Sequence, residues 1–160
     1  MRVLCMDIAT RTGWCALIDG RRHSGVVDLS LDCSEKAGEF VRHPHILGAL
    51  ATLIRELVSD FEPTFLVIEG GFSRGAGSQL LHRLIGVAMA EAQHAGLGVI
   101  AVPGSSWKKA ILGRGNPQDP KAASIAHAQT LAPHVTDDNE ADAICISDYA
   151  DRVLVKEKAA

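Results

Sequence analysis

The chain has 160 residues, 47% of them hydrophobic and 22% charged, which suffices for one filled core and shows no composition shift that would divide it into two domains. No apolar run approaches the roughly 18 residues of a spanning helix, and the short apolar start is interrupted by Asp7, so neither a transmembrane segment nor a secretory signal is expected and the protein reads as cytoplasmic. The formal net charge of -3 excludes a globally basic nucleic-acid binder, so any phosphate-facing charge has to be local. Cys5, Cys15, Cys33 and Cys145 form no CxxC pair and no zinc spacing, and three of them lie in apolar segments. Reduced thiols are expected, with no disulfide and no metal on sulfur.

Val3, Leu4, Met6 and Ile8 surround Cys5 and Asp7 in a run that predicts a strand buried on both faces and ending near Asp7. After a polar turn and Gly13, Trp14 to Ile18 predicts a second strand, Asp19-Gly20 a hairpin, and Ser24 to Leu29 a third strand, giving an antiparallel meander. From about Pro44, the residues Ile46, Leu47, Leu50, Leu53, Ile54, Leu57 and Val58 recur at helical spacing, up to Pro63. Phe65 to Ile68 is a fourth strand which, after a helix, pairs parallel to the first by the right-handed crossover rule. A glycine-rich stretch over 70–77 leads into a second amphipathic helix carrying Leu80, Leu81, Leu84, Ile85, Val87 and Ala88. A fifth strand over Gly98 to Val102, short helices over Ser105 to Leu112 and Lys121 to Leu131, and a last helix from about Asn139 to Val155 complete the order. The chain is thus expected to be an α/β protein of ribonuclease-H-like plan: a five-stranded mixed sheet, three strands antiparallel and then two parallel, flanked by helices.

Three acids stand out within this order. Asp7 and Glu69 end apolar strands, and Asp142 lies near the start of the last helix. Parallel pairing of the first and fourth strands sets Glu69 beside Asp7. Neighbouring strands lie about 4.8 Å apart, so carboxylates at corresponding ends can share one divalent cation. Such oxygen donors suit magnesium and the hydrolysis of phosphodiesters.

Four stretches carry a specific resemblance: Asp7 with the following TGW turn; VIEGGF around Glu69; VPGSSWKKAILGRGNPQDPK over 102–121; and EADAICIS over 140–147. In this order and spacing the chain resembles the RuvC family of Holliday-junction resolvases, of the bacterial or phage type, over nearly its whole length. The resemblance implies a homodimer that makes paired nicks in four-way DNA, with magnesium as cofactor and manganese as a substitute. It implies Asp7, Glu69 and Asp142 as metal-binding catalytic acids, and Phe72 as an aromatic that wedges into the junction. Lys108 or Lys109, together with Lys121, match phosphate-contacting lysines, and Lys121 is also a catalytic candidate. Arg74 and Arg114 lie in glycine-containing loops and extend the phosphate footprint.

The family usually has an acid or histidine three residues before the final Asp, where this chain has Asn139. An amide offers a carbonyl oxygen to a metal but no charge and no base. Asp138, four residues before Asp142, falls on nearly the same helical face and is the alternative source of charge at the metal site. Asp137 and Asp138 equally suit capping of the helix N-terminus. The apolar stripe of the 80–92 helix is either a dimer interface or ordinary core. Other readings are a catalytically weakened junction-binding protein, a RuvC-like nuclease that processes RNA, and, further off, an actin-like or sugar-kinase-like nucleotide-binding fold.

Overall fold

Alternation along the first strand decides the layering. In β1 (Arg2–Asp7), Leu4 and Met6, with Ile8 just beyond, enter the core beneath α1 (Glu39–Phe61) and α2 (Ser78–His94). Val3 and Cys5 enter the opposite core, against α3 (Gly104–Leu112) and α5 (Asp138–Tyr149). In β4 (Phe65–Gly70), Leu66 and Ile68 likewise join the first core and Val67 the second. Because side chains alternate with period two, Asp7 and Glu69 belong to the α3 and α5 face. The computed structural model describes residues 1–31, 33–34, 38–70, 78–115 and 117–154.

With β2 (Arg11–Ile18), β3 (Arg21–Asp28) and β5 (Gly98–Pro103), the strands form an open sheet of order β3-β2-β1-β4-β5. The β1–β2 and β2–β3 pairs are antiparallel, and the β1–β4 and β4–β5 pairs parallel, as the crossover argument requires. The hairpin turn has φ of 50° at Asp19 and 85° at Gly20, the two positive values of a type I′ connection. All four cysteines are free thiols. Among the described residues no helix is long and apolar enough to cross a membrane.

Several boundaries differ from those expected. The second strand begins at Arg11, so Gly13 is a strand residue and does not precede the strand. Polar Thr12 is tolerated there because its fully buried Oγ1 donates to the Ala9 carbonyl at 2.6 Å, closing the turn from β1. Helix α1 begins at Glu39, five residues before Pro44. Proline there forfeits only the bond to the carbonyl of Phe40, in the exposed first turn, and so does not break the helix. Helix α4 (Pro120–Gln129) stops short of Leu131, and α5 continues as a π-helical turn over Ala150–Leu154; the expected end, Val155, lies outside the described residues. The apolar stripe of α2 is core: Leu84, Ala88 and Ala92 are buried under it, with Leu80, Leu81, Ile85 and Val87 partly so.

Candidate active site

The β1–β4 register pairs Cys5 with Val67 and Met6 with Ile68, and one further step sets Asp7 against Glu69. On its other side Asp7 pairs with Gly13 of β2. Helix α5 crosses β1 and β2 and rests its first turn on that glycine: a Cβ at Gly13 would stand 1.9 Å from the backbone oxygen of Asn139. The missing side chain therefore lets α5 come down onto the sheet beside Asp7, bringing Asp138 and Asp142 into its electrostatic field.

The charges are crowded. The Asp7 carboxyl is pushed up to about 7, first by burial and then by Asp142 and Glu69, with Asp138 adding and Lys108 opposing. Burial also raises Asp142, against the pull of Ser124 and Lys108, while Glu69 and Asp138 add to the rise. The Ser124 hydroxyl is fully buried and, among the described residues, has no hydrogen-bond partner within normal reach.

The start of α5 divides its acids between two tasks. Asp137 is the N-cap, accepting from the backbone N–H of Asn139 at 2.9 Å and of Glu140 at 3.2 Å, and Arg11 grips its other oxygen at 2.7 and 2.9 Å. Burial opposes ionisation of Asp137, yet Arg11 and the capped amides hold its carboxyl below the usual range. Asp138 meets Lys121 at 2.6 Å and raises the Lys121 ammonium by accepting its hydrogen bond. Asp138 also lies within electrostatic reach of Asp7 and Asp142, whereas Asn139 contributes its backbone carbonyl to the seat on Gly13.

Glu69 sits in a socket made by α3. The Trp107 indole N–H donates to its Oε2 at 2.8 Å, the Lys108 Nζ lies 4.0 Å from the same oxygen, and a Cβ at Gly104 would stand 2.4 Å from Oε1. Lys108 thus faces the acids; Lys109, the next residue, is exposed and forms no ion pair among the described residues. Arg114 is exposed just past Gly113, which closes α3 with φ of 76°. Phe72 and Arg74 lie outside the described residues. Sequence reasoning missed Trp107; the available signal was an indole on the apolar side of a short helix, since a buried indole N–H needs an acceptor.

Among the described residues no group of three or more His, Cys, Asp or Glu side chains is placed so as to hold a metal ion. The donor chemistry nevertheless fits a hard divalent cation: the crowded groups are carboxylates, and the raised Asp7 marks a shortage of positive charge at this spot.

The fold has close counterparts among solved structures. Thermus thermophilus RuvC superposes with a TM-score of 0.73 at 20% identity, over 94% of this chain and 96% of that one. The fold is that of RuvC. The T. thermophilus RuvC in complex with a Holliday junction substrate matches at TM-score 0.71 and 17% identity, over 96% of both chains. The yeast mitochondrial Holliday junction resolvase Ydc2 gives a TM-score of 0.56 at 13% identity, over 98% of this chain and 86% of its own. No protein-family model matches the sequence, and no curated protein does. Within the RuvC fold, the acids described above stand at the carboxyl ends of the first and fourth strands and on the last helix.

Proposed function

We propose that this protein is a structure-selective endonuclease that resolves four-way DNA junctions by metal-dependent phosphodiester hydrolysis. The observation that carries the reading is the electrostatic coupling of Asp7 with Glu69 and Asp142 at one end of the sheet of a RuvC fold, with Lys108 beside Glu69. The junction-bound T. thermophilus RuvC supplies the class of DNA to test. Asp7, Glu69 and Asp142 would hold magnesium or manganese, and the metal would supply an activated water nucleophile at neutral pH and offset charge on the leaving 3′ oxygen. Lys108 offsets charge on the phosphoryl group during attack. Lys121, Lys109 and Arg114 supply phosphate contacts around an otherwise acidic site, which answers the chain's net negative charge with a local basic rim. Phe72 stacks on an unpaired base at the junction centre, worth about 1–3 kcal/mol by analogy with other base–aromatic contacts, and Arg74 touches backbone phosphate. Two copies related by a two-fold axis present two sites to opposite strands.

Lys108→Ala is expected to slow single-turnover nicking by roughly 100-fold, as for loss of one transition-state donor, while Lys109→Ala changes it less than about threefold because a rim phosphate contact acts mainly on binding. Equal losses would remove Lys108 from the site. For the fourth charge, Asp138→Asn is expected to weaken metal binding and nicking by about 10-fold or more, as for a group that orients a metal ligand, and Asn139→Asp to alter either by far less. A large gain from Asn139→Asp, measured by nicking against magnesium concentration, would return the role to position 139. Substrate choice is tested by offering a mobile four-way junction, duplex DNA and structured RNA with magnesium. Preferential junction cutting is expected; preferential RNA cutting would make this an RNA-processing nuclease, and binding without cutting a junction-binding module.

A further inference from the structure

We infer that Trp107 is a positioning residue that sets the Glu69 carboxylate and the Lys108 ammonium as one unit; the inference rests on the reading of Glu69 as a metal ligand. Trp107 is fully buried, in the core formed by Val67, Val102, Cys145 and Ile146. A buried indole N–H requires an acceptor. Here the acceptor is Glu69 Oε2 at 2.8 Å, on the same face of the sheet as Asp7. Glutamate has three side-chain torsions, and without an anchor its carboxylate samples several rotamers. The indole bond anchors one oxygen, and the close backbone of Gly104 lies against the other. The face of the same ring carries the Lys108 Nζ, 4.9 Å from the ring centroid and 4.0 Å from Glu69 Oε2. One core side chain therefore holds a metal-facing anion by its edge and a phosphate-facing cation by its face. Groups that orient a metal ligand in this way typically influence metal affinity by 10- to 100-fold.

Removing the N–H while keeping the ring separates this role from simple core filling. Manganese alone is titrated calorimetrically into wild type, Trp107→Phe, Trp107→Leu and, as a control, Glu69→Gln, without DNA, alongside thermal unfolding; nicking is then measured at saturating manganese. Trp107→Phe is expected to bind manganese about 10- to 100-fold more weakly and to recover most of its nicking rate at saturation, because Lys108 keeps its platform. Trp107→Leu is expected to stay slow even at saturation. Should Trp107→Phe fail to fold, 3-benzothienylalanine at position 107 retains the shape without the N–H, and the same loss of affinity is expected. Wild-type manganese affinity in the phenylalanine or benzothienyl protein, with Glu69→Gln weakened, overturns the inference and leaves the metal site intact. Absence of manganese binding in the wild type overturns the reading of Glu69 itself and the inference with it.

Discussion

Replacing Asp7 by Asn is expected to abolish junction nicking and, in the absence of divalent metal, to make the protein more stable. The activity loss follows from removing a proposed metal ligand that stands between Glu69 and α5, and should exceed about 1,000-fold if the metal supplies the nucleophile. The stability gain follows from burial and crowding, which push the Asp7 carboxyl from 3.8 to about 7. A rise of that size corresponds to at most about 4 kcal/mol, and partial solvent access brings the expectation to about 1–3 kcal/mol. Because the folded protein holds this proton more tightly than the unfolded chain does, the associated stability is complete below about pH 4 and is lost as pH rises through about 7. Thermal unfolding in chelator from pH 4.5 to 8 should therefore show the wild type losing ground to Asp7→Asn with rising pH. Adding magnesium should close the gap. Parallel curves would mean that the carboxyl is solvated and not crowded.

Gly13→Ala is expected to cost about 3 kcal/mol, near the upper end for overpacking, and to suppress nicking as well. The added Cβ would meet three backbone atoms, at 1.9 Å from the Asn139 oxygen, 2.2 Å from its carbonyl carbon and 2.8 Å from the Glu140 nitrogen. Backbone cannot rotate out of the way as a side chain can, so the first turn of α5 must lift from β2 and carry Asp138 and Asp142 from Asp7. Gly104→Ala makes a useful contrast, because its Cβ would meet Glu69 Oε1 at 2.4 Å, the far end of a side chain that can swing. Its stability cost should be small and its effect on metal affinity large. Chemical denaturation together with metal titration of the two variants checks both statements; a Gly13→Ala protein as stable as wild type would show that α5 does not rest on this glycine.

The parts legible in the sequence are those that local pattern determines. Apolar runs closed by Asp7 and Glu69 give strands whose ends carry acids, and a helix between them makes the strands parallel, so their meeting follows from topology. Polar strand residues are less legible: Arg11 and Thr12 lie in β2 because their partners, Asp137 and the Ala9 backbone, come from outside the run. The early start of α1 is hidden by Pro44, which ordinarily marks a boundary but is tolerated at an exposed helix start. Asp137, Asp138 and Asn139 share one helical turn, and only the docking of α5 on Gly13 decides which of them caps, which faces the acids and which supplies a backbone contact. Lys108 and Lys109 are likewise equivalent by type and differ by about 100° around α3, enough to send one toward Glu69 and the other to the surface. The hydrogen bond from Trp107 to Glu69 joins residues 38 positions apart, a distance no local pattern spans.

The proposed role of Asp7, Glu69 and Asp142 is to act together as the metal site of a junction nuclease. Its most direct test is single-turnover nicking of a mobile four-way junction in magnesium and in chelator, by the wild type and by Asp7→Asn, Glu69→Gln and Asp142→Asn, with junction affinity measured separately. Cutting is expected from the wild type in magnesium only, with none from any of the three variants and with junction affinity in all three close to that of the wild type. Cutting by the wild type in chelator, or undiminished cutting by any one of the three variants, would contradict that role.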